Sequence, residues 1–391
     1  MIRLRYDDRY IVELSRAAVF DDIPYIPQED LNWVYIFTKS IEQNIVGLLF
    51  TAIAKIPEKF KPDEKLFLRW KQKMLETIAI TSKQFLEYEK INKCALKKNI
   101  PIITLKGAYI RKKYPVPELR TMGDFDILVN NTNINMIKSL LIENGYSISK
   151  DLFGITADNA NAHWEVFVSM EQEFVYDSDY WNKEIFNNVE FVDGQYTLNP
   201  TFFLAHLIIH TGRHYIETGA GIRNLCDIAL YIRDNKSKID FTKLEEICCA
   251  QNFVKIYNYI LNAVHIWYGV DLSEVNFEKK ETDKFIEYFL LNGIFGRHDN
   301  VLLRQFSLDE RENSKGLKRL FFPPAKTLQN RYKYLRKYPF LLPIAWIQRI
   351  IYGKVGKKIN FSRMFKDVRG AARYSDERIQ WMKELDLVDK H

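Results

Sequence analysis

The stretch Pro101-Ile-Ile-Thr-Leu105-Lys106-Gly107, taken up again at Gly123-Asp124-Phe125-Asp126-Ile127-Leu128-Val129, decides how the chain is read. Its first part predicts a short apolar strand that ends at a Lys-Gly turn, with a helical segment running on to Tyr114. A Pro-containing loop over residues 115–122 leads into a second strand that opens with two acids. Side chains alternate along a strand, so Asp124 and Asp126 are expected on one face, able to hold a cation between them. Two carboxylates on a rigid strand suit hard divalent ions such as Mg²⁺, which share their oxygen ligands with substrate phosphates. Gly107 permits backbone to approach a phosphate at the start of the following helix, where free N–H groups and the helix dipole favour negative charge. Asp-x-Asp on its own fits a solvated strand end better. The order strand, Gly turn, helix, loop with Arg120, Gly123 and acid pair is what points to a metal-nucleotide site.

Outward from that stretch, an Asn-rich turn at Asn130, Asn131 and Asn133 precedes a helix over about 134–144, which ends at Gly145, a residue suited to left-handed geometry. Residues 162–168 read as a further strand. Strand-helix-strand alternation through 101–175 predicts a mixed sheet covered by helices. Residues 171–198, rich in acids and aromatics, read as a loop-rich exit. On the N-terminal side, Leu75 to Lys98 reads as a long helix with Ile78, Phe85, Tyr88, Ile91 and Leu96 inward. Before it, Ile11, Leu14, Ala18 and then Val34, Phe37, Ile41 recur at helical spacing, interrupted by Pro24 and Pro27.

From Pro200 the pattern is helical, over Phe202–Ile209, Ile222–Ile232, Gln251–Val270 and Glu281–Leu291. His206, His210 and His214 recur every four residues and so share one helix face. They fit a transition-metal site, a face turned to substrate or phosphate, or packing between helices; a zinc site would need a further ligand, for which Asp227 is the nearby candidate. Arg223 and Asp227, one turn apart, fit an ion pair that locks the helical part to the sheet, or a contact to substrate.

The chain has 391 residues, 47% of them hydrophobic and 14% aromatic, enough for two or three folded domains. Its four cysteines show neither zinc spacing nor a disulfide framework, which fits a reducing cytoplasm. The first residues carry charges where a signal peptide needs an apolar run, and no stretch is long and apolar enough for a transmembrane segment. The net charge of +7 is uneven. Residues 326–375 hold thirteen Lys or Arg against one acid, Asp367, so the remainder is net acidic. With the aromatics of Tyr338 to Ile347, this basic stretch fits a docked helix, a contact to nucleic acid or another polyanion, or an anionic membrane surface.

Leu105-Lys106-Gly107 followed by Arg120-Thr-Met-Gly-Asp-Phe-Asp-Ile-Leu-Val129 resembles the core of the uncharacterised bacterial nucleotidyltransferase family, a branch of the DNA polymerase β-like nucleotidyltransferase superfamily. The resemblance extends to Asn144-Gly145-Tyr146, to the His206, His210 and His214 series, to Arg223-Asn-Leu-Cys-Asp227, and to the stretch from Arg331-Tyr332 to Arg349. It implies an α+β fold, a small mixed β-sheet nucleotidyltransferase core flanked by helical N-terminal and C-terminal regions. The expected division is a helical N-terminal region at 1–75, the core at 76–198, a helical domain at 199–320 and a basic helical C-terminal region at 321–391.

The resemblance further implies transfer of a nucleoside monophosphate from an NTP to a hydroxyl acceptor, a small molecule, protein or RNA, with release of pyrophosphate. Asp124, Asp126 and a third acid, carried over to Glu165, would be catalytic and hold two Mg²⁺ ions, with Mn²⁺ as a substitute. Lys106, Gly107, Arg120 and Gly123 would bind nucleotide. His163, His210, His214, Arg223 and Asp227 are substrate-side candidates. Two positions depart from the pattern: Phe167 stands where many relatives place His, and Ala108 where the superfamily often has a phosphate-holding Ser. The competing expectation is a catalytically weak nucleotide-binding or regulatory module of toxin-antitoxin type, which a misplaced third acid would favour.

Overall fold

The computed structural model describes residues 4–151, 154–170, 178–217, 219–292, 333–336, 338–346, 348, 381, 384 and 385. By contact density the chain divides into one unit of Met1–Tyr215 with Gly219–Ile294 and a second of Ile216–Thr218 with Phe295–His391. In the second, Leu335 and Ala345 are buried among Tyr334, Leu341, Leu342 and Trp346, while Tyr338, Phe340 and Ile344 are exposed. Phe321 to Pro324, Arg331, Tyr332, Arg349, Lys354, Lys357, Lys358 and most of the basic 326–375 stretch lie outside the described residues.

The first unit is α+β. Three helices, α1 (Tyr6–Phe20), α2 (Trp33–Glu42) and α3 (Val46–Ile53), precede the long α4 (Glu64–Lys97). Asp63 caps α4 by accepting from the Leu66 N–H at 3.0 Å, so the helix begins eleven residues before the expected Leu75. Of the residues expected inward, Tyr88 and Ile91 are fully buried and Phe85 packs at the margin of the core. In α2, Phe37 is buried while Val34 and Ile41 are exposed.

The sheet follows as β1 (Ile103–Thr104), β2 (Phe125–Leu128), β3 (Ser147–Lys150), β4 (Gly154–Asp158), β5 (His163–Phe167), β6 (Val189–Val192) and β7 (Gln195–Leu198). Their spatial order is β3-β4-β5-β2-β1-β7-β6, with β2 parallel to β5, β1 parallel to β7 and the other pairs antiparallel. Between the strands lie α5 (Lys106–Ile110), α6 (Ile134–Glu143) and α7 (Ser178–Asn187). Gly145, at φ 85°, ends α6 as expected.

The expectation of a loop-rich segment at 171–198 is corrected for its described part. Residues 178–198 form α7 and the β6–β7 hairpin, and β7 pairs with β1 inside the sheet. Acids had disguised it: Glu190 and Asp193 sit on the edge hairpin, whereas Gln195 and Thr197 are buried. Tyr88 explains the buried Gln195, since its hydroxyl donates to Gln195 Oε1 at 2.5 Å and meets Thr104 Oγ1 at 2.6 Å. One tyrosine of α4 thereby satisfies polar groups on two neighbouring strands.

Alternation along β2 and β5 divides the sheet into faces. Phe125, Ile127, Trp164 and Val166 point into a core with Tyr88 and Ile91 of α4 and Ile137 and Leu141 of α6. The Phe125 and Trp164 rings are 4.7 Å apart. Asp126, His163, Glu165 and Phe167 therefore occupy the opposite face. Beyond the sheet, α8 (Pro200–Glu217), α9 (Ile222–Asn235), α10 (Phe241–Ala250), α11 (Val254–Tyr268) and α12 (Asp283–Asn292) complete the unit.

Candidate active site

Parallel pairing of β2 with β5 sets Asp126 directly opposite Glu165. Asp124, just before β2, joins them: one carboxylate oxygen from each acid lies within 4.8 Å of the others. Among the described residues this is the group of acid, His or Cys side chains able to hold a metal ion, and His206, His210 and His214 form no such group. Three converging carboxylates, those of Asp126 and Glu165 on paired strands and that of Asp124 just before β2, form an all-oxygen donor set that fits Mg²⁺ or Mn²⁺ rather than a thiolate- or imidazole-preferring ion.

Crowding three acids on a half-covered face is costly, and the proton equilibria record it. Burial pushes the Asp126 carboxyl up to about 7; the Lys106 ammonium pulls against that shift, and the charges of Asp124 and Glu165 add to it. Glu165 is also raised, by burial first and by Asp124 second. Lys106 Nζ donates to Asp126 Oδ1 at 3.0 Å and stands 6.0 Å from the centre of the Phe167 ring. Phe167, the departure from the family pattern, thus supplies an apolar floor beside the ammonium. His163 lies two residues before Glu165 on the same face, its Nε2 3.9 Å from Glu165 Oε1 and its Nδ1 2.5 Å from Asp158 Oδ1. Burial pulls the imidazole pKa down, but the contact with Asp158 and the charges of Glu165 and Asp124 together outweigh it, and the net shift is upward.

Arg120, Arg223 and Asp227 form their hydrogen bonds with partners other than the three acids. Arg120 is buried and spans Asp227 of α9 with Nη2–Oδ2 at 2.6 Å and Nε–Oδ1 at 3.2 Å. Asp227 therefore pairs with Arg120 from the sheet side, and the expected Arg223–Asp227 pair is corrected. Arg223 instead donates through Nη1 to the Thr121 carbonyl at 2.5 Å and to Thr121 Oγ1 at 3.1 Å. The lock between α9 and the acid-bearing loop exists, built from different partners. Tyr114, which the sequence did not single out, donates to Asp227 Oδ1 at 2.6 Å. Thr121, also missed, donates to the Asn44 carbonyl at 2.7 Å. Its position between Arg120 and Met122 in the motif was the signal available for it.

Gly107 has a different reason from the one expected. A Cβ there would meet Arg120 Nη1 at 2.3 Å, so the glycine makes room for a guanidinium. The helix it lies in has five residues, starting at Lys106, and Ala108 packs into the core. Gly123 is exposed, and a Cβ there would meet nothing within 4 Å. On α8, the His206 and His210 rings stack with centres 6.0 Å apart, and His214 meets His210 edge-on at 4.2 Å. His206 is fully buried.

The chain belongs to the uncharacterised nucleotidyltransferase family, which matches residues 29–269. No curated protein matches it. Among solved structures it is similar to a crystal structure of ANT(2″)-Ia in complex with adenylyl-2″-tobramycin, at 13% identity and TM-score 0.33 over 43% of this chain and 96% of that one. It is also similar to a solution structure of the antibiotic-resistance factor ANT(2″)-Ia, at 12% identity and TM-score 0.34 over 44% and 91%. No helix among the described residues is long and apolar enough to cross a membrane.

Proposed function

We propose that the chain transfers a nucleoside monophosphate from an NTP to a hydroxyl acceptor, with Asp124, Asp126 and Glu165 as the catalytic acids. The observation that carries this reading is the convergence of the three carboxylates within 4.8 Å on one sheet face. Two divalent ions held there would supply the charge that draws the attacking and leaving oxygens into line. The acceptor oxygen bonds to the α-phosphorus as the bond to the β-phosphate oxygen breaks, and pyrophosphate leaves. Glu165, whose pKa is raised by burial and by Asp124, takes the acceptor proton on its carboxylate. Lys106 neutralises phosphate charge, and the open backbone at Gly123 gives the triphosphate a close approach. Arg120 and Gly107 act one layer further back, holding the loop that carries Asp124. His163 is assigned to the acceptor side, and the basic 326–375 stretch favours an anionic acceptor. Four free cysteines accord with a reducing, cytoplasmic setting.

Nucleotide binding without turnover is the second reading, favoured by the Lys106 ammonium on Asp126, which already neutralises one catalytic acid. The position of Glu165 opposite Asp126 supports turnover instead.

The test is thermal melting of the wild type and the Asp124→Ala/Asp126→Ala double variant with ATP, GTP, CTP or UTP, each with and without Mg²⁺. A ligand at a hundredfold excess over its Kd adds about 2.7 kcal/mol to native stability. Metal-dependent stabilisation by one nucleotide, lost in the double variant, supports the site and names the donor. No shift with any nucleotide in folded protein overturns it.

A further inference from the structure

We infer that α4 carries the docking face for a second copy of this chain, the two α4 helices pairing side by side and in parallel through Leu68, Leu75, Ala79 and Leu86. The inference is independent of the proposed chemistry and concerns a surface that the acid cluster leaves unused.

Geometry selects the face first. α4 runs for 34 residues. At roughly 3.6 residues per turn, Leu68, Leu75, Ala79 and Leu86 fall within about 20° of one line along it. All four are exposed, the leucines by 55%, 53% and 70%. The helix meets its own core with the opposite side, where Trp70, Thr81, Tyr88 and Ile91 are buried. The spacing along the line is that of a coiled-coil seam, with Leu68 and Leu75 at heptad position d and Ala79 and Leu86 at position a.

Charge decides what covers this line, and in which orientation. Positions g and e flank such a seam, and in a parallel pair each g faces the e of the next heptad on the other helix. Glu64 then faces Arg69 of the second copy, and Lys71 faces its Glu76, opposite signs in both cases; Glu64, Arg69 and Lys71 are exposed and Glu76 half-buried. Further along, Ile78 and Phe85 face Lys83 and Lys90, so no like charges meet on the flanks. Turning one helix round reverses the sense, since Arg69 would then face Lys83, and Glu76 its own copy. Gln72, at position a between the two leucines, meets its own copy in the parallel register, and a slip would set its amide against leucine. Lys65 and Glu89 each meet like charge and so close the seam at its ends, Glu89 being held by Lys112 at 3.2 Å. From Leu68 to Leu86 the seam is about 27 Å long, which suits a dimer that forms and separates with concentration.

The experiment is sedimentation equilibrium of the full chain at rising concentration, as wild type and as Leu75→Glu, with circular dichroism to show that both are folded. Expected is a monomer–dimer equilibrium for the wild type and at least about a tenfold larger dissociation constant for Leu75→Glu, because the substitution sets a carboxylate against its own copy within the seam. Leu75 is exposed, so the variant should fold as the wild type does. A wild type that stays monomeric at every concentration overturns the inference, whatever else covers the stripe. A dimer of equal strength in Leu75→Glu places the interface elsewhere and overturns it as well. Orientation has its own measurement, mild oxidation of Leu68→Cys in a Cys249→Ser background, which removes the exposed native thiol. In the parallel pair residue 68 meets its own copy, and covalent dimer should form several-fold above the Cys249→Ser parent. An antiparallel pair would hold the two sites about 27 Å apart, far beyond disulfide reach, so no gain over the parent overturns the parallel seam.

Discussion

Arg120 and Asp227 join the acid-bearing loop to α9 through a two-point contact, 2.6 Å and 3.2 Å, with both side chains almost wholly buried. A buried pair of this kind adds little over apolar packing, but removing one partner strands the other charge, at a cost of about 3–5 kcal/mol. Arg120→Met and Asp227→Asn should each lose stability in that range, measured by urea unfolding without nucleotide. Arg120→Lys should recover only part, because an ammonium cannot reproduce the planar two-point geometry. Losses below about 1 kcal/mol in both variants would mean that the pair does not hold the loop.

The two motif glycines should behave oppositely. At Gly107 an added methyl would press on Arg120 Nη1, and the guanidinium cannot yield without disturbing Asp227. Gly107→Ala should lower stability by about 1–3 kcal/mol, an overpacking cost. At Gly123 the methyl would enter open space, so Gly123→Ala should melt at or slightly above the wild-type temperature. If nucleotide approaches there, the same variant should lose nucleotide-dependent stabilisation, a combination that thermal melts with and without ligand would reveal.

Substitution of the acids isolates binding from folding. Asp126→Asn keeps the shape of β2 while removing the carboxylate opposite Glu165. Its far-UV dichroism should match the wild type, and its stabilisation by Mg²⁺ with NTP should vanish. Glu165→Gln should retain more of the binding and lose turnover, once an acceptor is in hand. Full metal-dependent stabilisation in Asp126→Asn would place the metal elsewhere.

The raised Asp126 carboxyl gives a pH signature with a definite sign. Its ordinary value is 3.8 and its folded value about 7, so between these the folded state holds a proton that the unfolded chain has released. The stability this contributes is complete below 3.8 and is lost as pH rises through about 7. Metal must displace that proton. Metal-induced stabilisation should therefore be small at pH 6 and larger at pH 8, as thermal melts with and without Mn²⁺ at the two values would show. A larger effect at pH 6 would contradict the assignment of Asp126 as a ligand.

Much of the core was legible because short-range rules govern it. Period-two alternation placed Asp126 against Phe125 and Ile127, and a Gly at the end of α6 marked a left-handed turn that exists at Gly145. The β6–β7 hairpin was not legible, since its buried polar residues, Gln195 and Thr197, bond through Gln195 Oε1 and Thr197 Oγ1 to partners roughly a hundred residues away, Tyr88 and Thr104. A polar residue in a strand reads as solvent-facing until its distant partner is known.

The sequence by itself determined the mixed strand-helix character of the core and the acid pair that opens β2, because strand alternation is a local property, while the family resemblance supplied the candidate third acid. Only the tertiary structure decided partners. It set Asp126 opposite Glu165, gave Asp227 to Arg120 rather than to Arg223, filled the space above Gly107 with a guanidinium, and placed the Lys106 ammonium on Asp126. Each choice depends on strand register and on how α9 meets the sheet. A charged side chain reads the same in sequence whether its counter-ion is a neighbour, a distant residue or a ligand; burial makes the choice matter, because an unpaired charge there is too costly to leave.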